Sequence, residues 1–259
     1  AATTALRVSA FVMNNDLRHP AVVGADLASI DVLSGGRLDV AIGAGWNRPE
    51  YDAIGLHFDP PSVRQARLAE SVAILKKVFA GERFSFAGEY YTITDYEPGP
   101  PTPQRPHPPL FIGGGSRRTL TLAGREADIV GLAPRISSNV TVDARSLTFE
   151  AAREKIEWVR ESAGDRFASL TFNVYPSVWP VTITDNLRAE ARAVADHLRK
   201  RSGVELSEDE VIASPHLFIG SIDRLVEKFQ QLREELGISS FMLGEIDELA
   251  PVVGRLVGD

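Results

Sequence analysis

The chain has 259 residues, 44% of them hydrophobic and 24% charged, enough to bury a sizeable core as one large domain or two small ones. Its 28 basic and 35 acidic side chains leave a net charge of -7, and the arginines are scattered rather than striped, which argues against a nucleic-acid groove and for a small-molecule partner. The absence of cysteine excludes disulfides, thiolate catalysis, iron–sulfur clusters and cysteine-ligated zinc, and the five histidines (19, 57, 107, 197 and 216) have no metal-ligand spacing, so no metal is expected. The opening AATTALRV has no charged or apolar leader character and no apolar run reaches the length of a membrane span, so a cytoplasmic protein without membrane contact is the expectation.

Six nearly continuous apolar runs, rich in Val, Ile and Phe, alternate with longer amphipathic segments. The runs are residues 6–13, 38–43, 110–113, 128–132, 170–175 and 239–243. Such runs suit strands covered on both faces. After the second run, Ser62 and Gln65 stand in capping-box register, Leu68, Val72, Leu75 and Phe79 share one helix face, and Gly81 ends the helix. Thirteen residues from 97 to 109 then hold seven prolines, read as a rigid lead-in to the third run rather than a displayed polyproline ligand. Thr148 opens a second helix with the stripe Ala152, Ile156, Val159 and Ala163, closed by Gly164. In a third, Ile222, Leu225, Phe229, Leu232 and Leu236 face one way before Gly237. Strand and helix in alternation imply a parallel sheet with helical crossovers.

Two turns carry chemistry. Gly43-Ala44-Gly45 follows a buried run, but Trp46, Asn47 and Arg48 supply no third glycine and Pro49 intervenes, so the dinucleotide-binding fingerprint fails. A closed barrel, which gathers its chemistry on the loops after each strand, explains the loops NNDLRHP, AGWNRPEY, GGGSRR and LAPRI better than an open sheet does. The Gly43–Gly45 turn lets backbone N–H groups approach an anion or a ring edge. In PLFIGGGSRR, Gly113, Gly114, Gly115 and Ser116 lead from a strand into a helix, so free amides and the positive helix end converge as a phosphate site, with Arg117 or Arg118 in reach; the alternative is a glycine-rich turn with no ligand.

The stretches NNDLRHPAVVGADLASIDVLSGGRLDVAIGAGWNRPEYDAIGLHFD and PPLFIGGGSRRTLTLAGREADIVGL resemble the bacterial-luciferase-like flavin and deazaflavin oxidoreductases, and within them the branch that uses coenzyme F420, an 8-hydroxy-5-deazaflavin. SPHLFIGSIDRLVEKFQQLREELGISSFML is similar to that family's last helix–strand unit, so the resemblance covers nearly the whole chain. It implies a (β/α)8 TIM barrel over residues 1–259 as a single domain, with an insertion segment at 180–218. The fold needs eight strands. The six runs start with the family's third, so the chain is expected to be N-terminally incomplete, with the catalytic polar residues in the part not represented; the alternative is a true truncation with two exposed barrel edges, which would invite pairing and aggregation. No catalytic residue is assigned.

The resemblance further implies a non-proline cis peptide at Ala10–Phe11, under the central ring of the cofactor. It gives Gly43, Ala44 and Gly45 to the ring edge, and Gly113, Gly114, Gly115, Ser116 and Arg117 to the phosphate. Deazaflavin users that perform acid–base chemistry often have glutamate where this chain has Trp46. An indole can wall off a substrate or plug the barrel mouth but cannot exchange protons at neutral pH. Asn47 either bonds the cofactor or caps the next turn. Arg18, Arg48, Arg117, Arg118 and Arg135 lie in or beside strand-end loops, where they could meet the acidic tail of F420. The polar segment 137–145 is a candidate lid. The expected function is hydride transfer between reduced F420 and a small organic substrate by a homodimer. The alternatives are an FMN-dependent monooxygenase of the same fold and a noncatalytic flavin-binding relative.

Overall fold

A computed structural model describes residues 3–136, 141–244 and 246–256. The first four residues of the candidate lid, 137–140, lie outside the described residues. Contacts divide the chain into two compact units, Ala1–Gly113 with Arg125–Ile129, and Gly114–Gly124 with Val130–Asp259.

The first unit runs β1 (Met13–Asn14), α1 (Pro20–Ser34), β2 (Val40–Gly43), α2 (Arg48–Ala53), α3 (Pro61–Ala80), β3 (Phe84–Ala87), β4 (Thr92–Tyr96) and β5 (Leu110–Gly114). Parallel ladders set Met13 beside Ile42 and Asn14 beside Gly43, and on the other side of β2 set Val40 beside Leu110 and Ile42 beside Ile112. All four residues of β2 are buried. The predicted stripe of α3 is in place, with Leu68, Val72, Leu75 and Phe79 fully buried. Each such side chain contributes about 1.5–3 kcal/mol of burial free energy.

Three expectations need correction here. The helix α3 starts at Pro61, with Pro60 at the cap and no side-chain cap bond, so the Ser62 capping box does not form; proline is already set for the first helical position and lacks the N–H that a cap would satisfy. The first strand pairs only at Met13 and Asn14, with an isolated bridge from Val8 to Leu38. The non-proline cis peptide is Phe11–Val12, one residue beyond the expected bond. A run without polar alternation carries no register information, so its pairing could not be placed to the residue.

The ladders are also not parallel throughout, because β3 and β4 form a separate antiparallel hairpin. The Glu70 carboxylate fixes its turn by accepting from the amides of Glu89 at 2.7 Å, Tyr90 at 3.0 Å and Tyr91 at 3.1 Å. The proline-rich stretch is anchored: the Gln104 amide donates to Asp31 Oδ1 at 2.8 Å and to the Leu38 carbonyl at 2.7 Å.

The second unit contains α4 (Arg117–Glu126), β6 (Ile129–Leu132), α5 (Phe149–Ala163), β7 (Thr171–Val174), β8 (Thr182–Ile183), α6 (Leu187–Ser202), α7 (Glu208–Ala213), β9 (Ile219–Gly220), α8 (Ile222–Leu236), β10 (Ile238–Phe241) and α9 (Ile246–Leu256). Strand β10 pairs parallel with β7, and β8 with β9. The helix ends read from sequence hold, with Thr148 Oγ1 accepting from the Ala151 amide at 3.2 Å and Gly237 closing α8 at φ +67°; Ser221 Oγ, accepting from the Arg224 amide at 3.3 Å, caps the start of α8. Within 180–218, Ala191, Val194, Leu198, Val211 and Leu217 form a core with Ala144 and Leu147. No helix among the described residues is long and apolar enough to cross a membrane.

This unit buries three basic groups. The Lys155 ammonium donates to the carbonyls of Ala133 at 2.7 Å and Ser146 at 2.8 Å, and burial lowers its pKa to about 8. Lys228 Nζ donates to the carbonyls of Ile212 and Leu217, and burial brings it down to about 7. His216 is fully buried and held down to about 3, first by desolvation and then by the charge of Lys155.

Folding keeps His216 neutral below its ordinary value of 6.5, so the unfolded chain binds the extra proton there and stability falls as pH drops from 6.5 toward 3. Urea denaturation across pH should show the wild-type protein losing about 2–3 kcal/mol more than His216→Gln between pH 7 and pH 4.5. Parallel pH curves would remove His216 from the acid limb.

Candidate functional site

At the ends of β1 and β2 a polar clamp joins segments distant in sequence. Asn14 Oδ1 accepts from the Asp16 amide at 3.1 Å. The Tyr51 hydroxyl, on α2, is directed at Asn14 Oδ1 and Asp16 Oδ2, both at 3.0 Å. Arg67, on α3, meets Asp16 at 3.1 Å and also pairs with Asp59. Tyr51 is completely buried, and its phenol is pushed up to about 12, chiefly by desolvation, so it remains a donor at neutral pH.

The clamp explains the Gly-x-Gly turn. Gly45 has φ +73°, and a Cβ there would collide with the Tyr51 hydroxyl and the Asn14 amide. A Cβ on Gly43 would stand 3.0 Å from Val12 Cγ2. Both glycines therefore have packing reasons to be glycine. Trp46, just before α2, is 56% exposed. Asn47 sits at the cap of α2 without accepting a cap bond, and its Nδ2 donates to Glu50 Oε1 at 2.9 Å. Ala10 and Phe11 are both exposed, with the Phe11 ring edge-on to Phe111 at 5.3 Å. A mostly apolar cavity of about 260 Å³ lies beside this end of β1, with Met13, Asn14, Leu17, Val23, Ile42 and Leu75 in its wall.

The glycine turn is shorter than the sequence suggests: strand β5 continues through Gly113 and Gly114, then Gly115 and Ser116 follow, and α4 begins at Arg117. The Ser116 hydroxyl accepts from the Thr119 amide at 3.3 Å and bonds Thr119 Oγ1 at 3.0 Å, so it is the helix cap. The first-turn amides of Arg117 and Arg118 have no acceptor within the helix, and the helix dipole adds partial positive charge, so the turn fits a phosphate. Its glycines again have internal reasons. A Cβ on Gly114 would lie 2.6 Å from Thr119 Cγ2, and one on Gly115 would lie 2.5 Å from the Pro134 carbonyl oxygen.

The arginines read as a reserve of positive charge are mostly committed. Arg18 pairs with Asp26, Arg48 with Asp52 at 3.4 Å, Arg117 with Glu161 at 2.7 Å and Arg135 with Asp143 at 3.3 Å. Arg118 is exposed and has no partner among the described residues. No cluster of three or more possible metal ligands occurs among the described residues.

Sequence reasoning missed the clamp. Its one local sign is Asn14, Asn15 and Asp16 directly after an apolar run, but Tyr51 lies 35 residues and Arg67 51 residues beyond Asp16, so only the fold brings them together.

This architecture and these strand-end loops are those of a known class. Residues 1–155 match the family described as luciferase-like monooxygenase, and the chain belongs to that family. It is 38% identical over 128 residues to an FMNH2-dependent dimethylsulfone monooxygenase of Pseudomonas putida, a match covering 49% of this chain and 35% of that protein. It is 36% identical over 110 residues to an F420-dependent hydroxymycolic acid dehydrogenase of Mycobacterium tuberculosis, covering 42% of this chain and 30% of that one. The chain thus matches about a third of the length of these curated relatives. Among solved structures, the coenzyme F420-dependent tetrahydromethanopterin reductase from Methanopyrus kandleri superposes with a TM-score of 0.71 at 19% identity, over 98% of this chain and 83% of that one. The fold class is the α/β TIM-barrel type of the luciferase-like enzymes.

Replacing Gly115 by alanine should destabilise the ligand-free protein by about 1–3 kcal/mol in chemical denaturation, because the new methyl meets the backbone at Pro134 rather than a movable side chain. An unchanged midpoint would mean that this glycine serves something other than packing.

Proposed function

We propose that this chain is the cofactor-binding portion of an oxidoreductase that works on a small organic substrate with reduced FMN, in the manner of a luciferase-like monooxygenase. The carrying observation is electrostatic. Of the five strand-end arginines, Arg18, Arg48, Arg117 and Arg135 each hold a carboxylate of this chain, so among the described residues Arg118 is the one of these five left to meet the several carboxylates of an F420 tail. Such exposed pairs are individually weak, but each cancels the charge that would steer an acidic tail. Trp46 supports the same reading, since it supplies no proton donor where deazaflavin users of the acid–base kind carry one.

The phosphate is assigned to Gly113, Gly114, Gly115 and Ser116 with the amide of Arg117. Ser116 acts by holding the helix start, and Arg117 acts through its backbone because its guanidinium is turned to Glu161. The ring is assigned to Ala10, Phe11, Gly43, Ala44 and Gly45. Trp46 is assigned to shielding substrate from water and Asn47 to shaping the loop through Glu50. When bound, reduced FMN supplies two electrons for substrate oxygenation with dioxygen; the protein supplies anchoring, orientation and a dry surface. The second reading, hydride transfer with F420, draws on the uncommitted Arg118 and on similarity to F420-dependent relatives. Cytoplasmic location and a homodimer accompany either reading.

Fluorescence titration of the chain with oxidised FMN and oxidised F420, at low and high salt, tests the choice. FMN should bind at least as tightly as F420 at both salt levels. A preference for F420 that fades as salt screens tail contacts would favour the second reading, and binding without turnover with either cofactor would favour a noncatalytic flavin-binding relative.

A further inference from the structure

The Asn14 amide, at the end of β1, has two ends with different fates. Its Oδ1 takes the Asp16 N–H and faces the Tyr51 hydroxyl. The Asp16 N–H identifies that end as oxygen, because the flipped amide would set two donors against each other. Nδ2 is left buried and has no hydrogen-bond partner among the described residues. A buried donor in that state bears the full cost of its desolvation and calls for a partner from outside the chain, a ligand or an ordered water.

What holds the amide is elaborate. The Asp16 side chain is only 2% exposed, wedged between Tyr51 and Arg67, and Arg67 continues to Asp59. The clamp thus runs from α3 through α2 to the end of β1, with Gly45 packed beneath the Tyr51 hydroxyl. These contacts fix the direction of a single amide.

We propose that Tyr51 is a positioning residue: its hydroxyl, backed by Asp16 and Arg67, holds the Asn14 amide so that Nδ2 donates to an acceptor atom on the edge of a flavin or deazaflavin ring. The inference rests on reading the chain as a flavin-type oxidoreductase. Tyr51 itself does not touch the ring. Without its hydroxyl, Asn14 retains one anchor, the Asp16 N–H, and the donor is free to swing away.

A double-mutant cycle with Tyr51→Phe and Asn14→Ala tests this, read by titration with oxidised FMN and by thermal denaturation without ligand. Each single variant should weaken FMN binding about five- to tenfold, and the double variant should bind no more than about twofold worse than Asn14→Ala alone. The flavin absorption band should shift alike in Tyr51→Phe and Asn14→Ala, which a purely structural role of Tyr51 would not produce. Should Asn14→Ala fail to fold, Asn14→Ser takes its place in the cycle. Losses that multiply in the double variant, or a Tyr51→Phe protein with lowered melting temperature and unchanged affinity, would overturn the proposal. A wild-type protein that binds no flavin would instead overturn the cofactor reading on which it rests.

Discussion

Complete burial of β2 is the constraint from which the first unit follows. All four of its residues, Val40 to Gly43, are shut away from water, so its backbone groups must be paired on both sides and its side chains covered on both faces. The parallel ladders to β1 and β5 satisfy the backbone. In the same unit the stripe of α3, Leu68, Val72, Leu75 and Phe79, is fully buried. The chain can relax its apolar composition only where the strands end, and it does so at once: Asn14 at the end of β1 with Asn15 and Asp16 after it, and Gly45, Trp46 and Asn47 after β2. Polar groups placed there must be bonded or aimed at a ligand. Most of Asn14, Asp16, Tyr51 and Arg67 is bonded; one amide end is not.

The same logic shapes the charge pattern. At net charge -7, a loop arginine finds a carboxylate nearby more easily than an isolated position, and four of the five strand-end arginines have done so. Positive potential for an anion therefore comes chiefly from backbone: the start of α4, where Ser116 closes the cap and leaves the next amides free of helical partners. A site built from amides does not discriminate strongly between one phosphate ester and another, which suits a family whose members use either FMNH2 or F420.

Elements governed by local chemistry were legible before any coordinates. The stripe of α3, the Thr148 cap and the Gly237 terminus depend on residues three or four apart. The glycine turn before α4 was legible for the same reason, since strand, turn and helix are contiguous. Features that depend on pairing distant segments were not. The first strand shrank to two residues because a continuous apolar run does not encode its register. The β3–β4 hairpin hangs on Glu70, a single carboxylate one helix away. The reason for Gly45 lies in Tyr51 and Asn14, and for Gly115 in Pro134; a lone glycine in a sequence cannot say whether a ligand or its own chain needs the space.

The central claim is that the turn entering α4 holds a cofactor phosphate through its backbone. Amide NMR of the nitrogen-15-labelled protein during addition of oxidised FMN reads those groups directly. The resonances of Gly114, Gly115, Ser116, Arg117 and Arg118 should move together along one saturation curve, and inorganic phosphate should move the same set more weakly. Saturable FMN binding that shifts other amides and leaves these five unmoved would contradict the account.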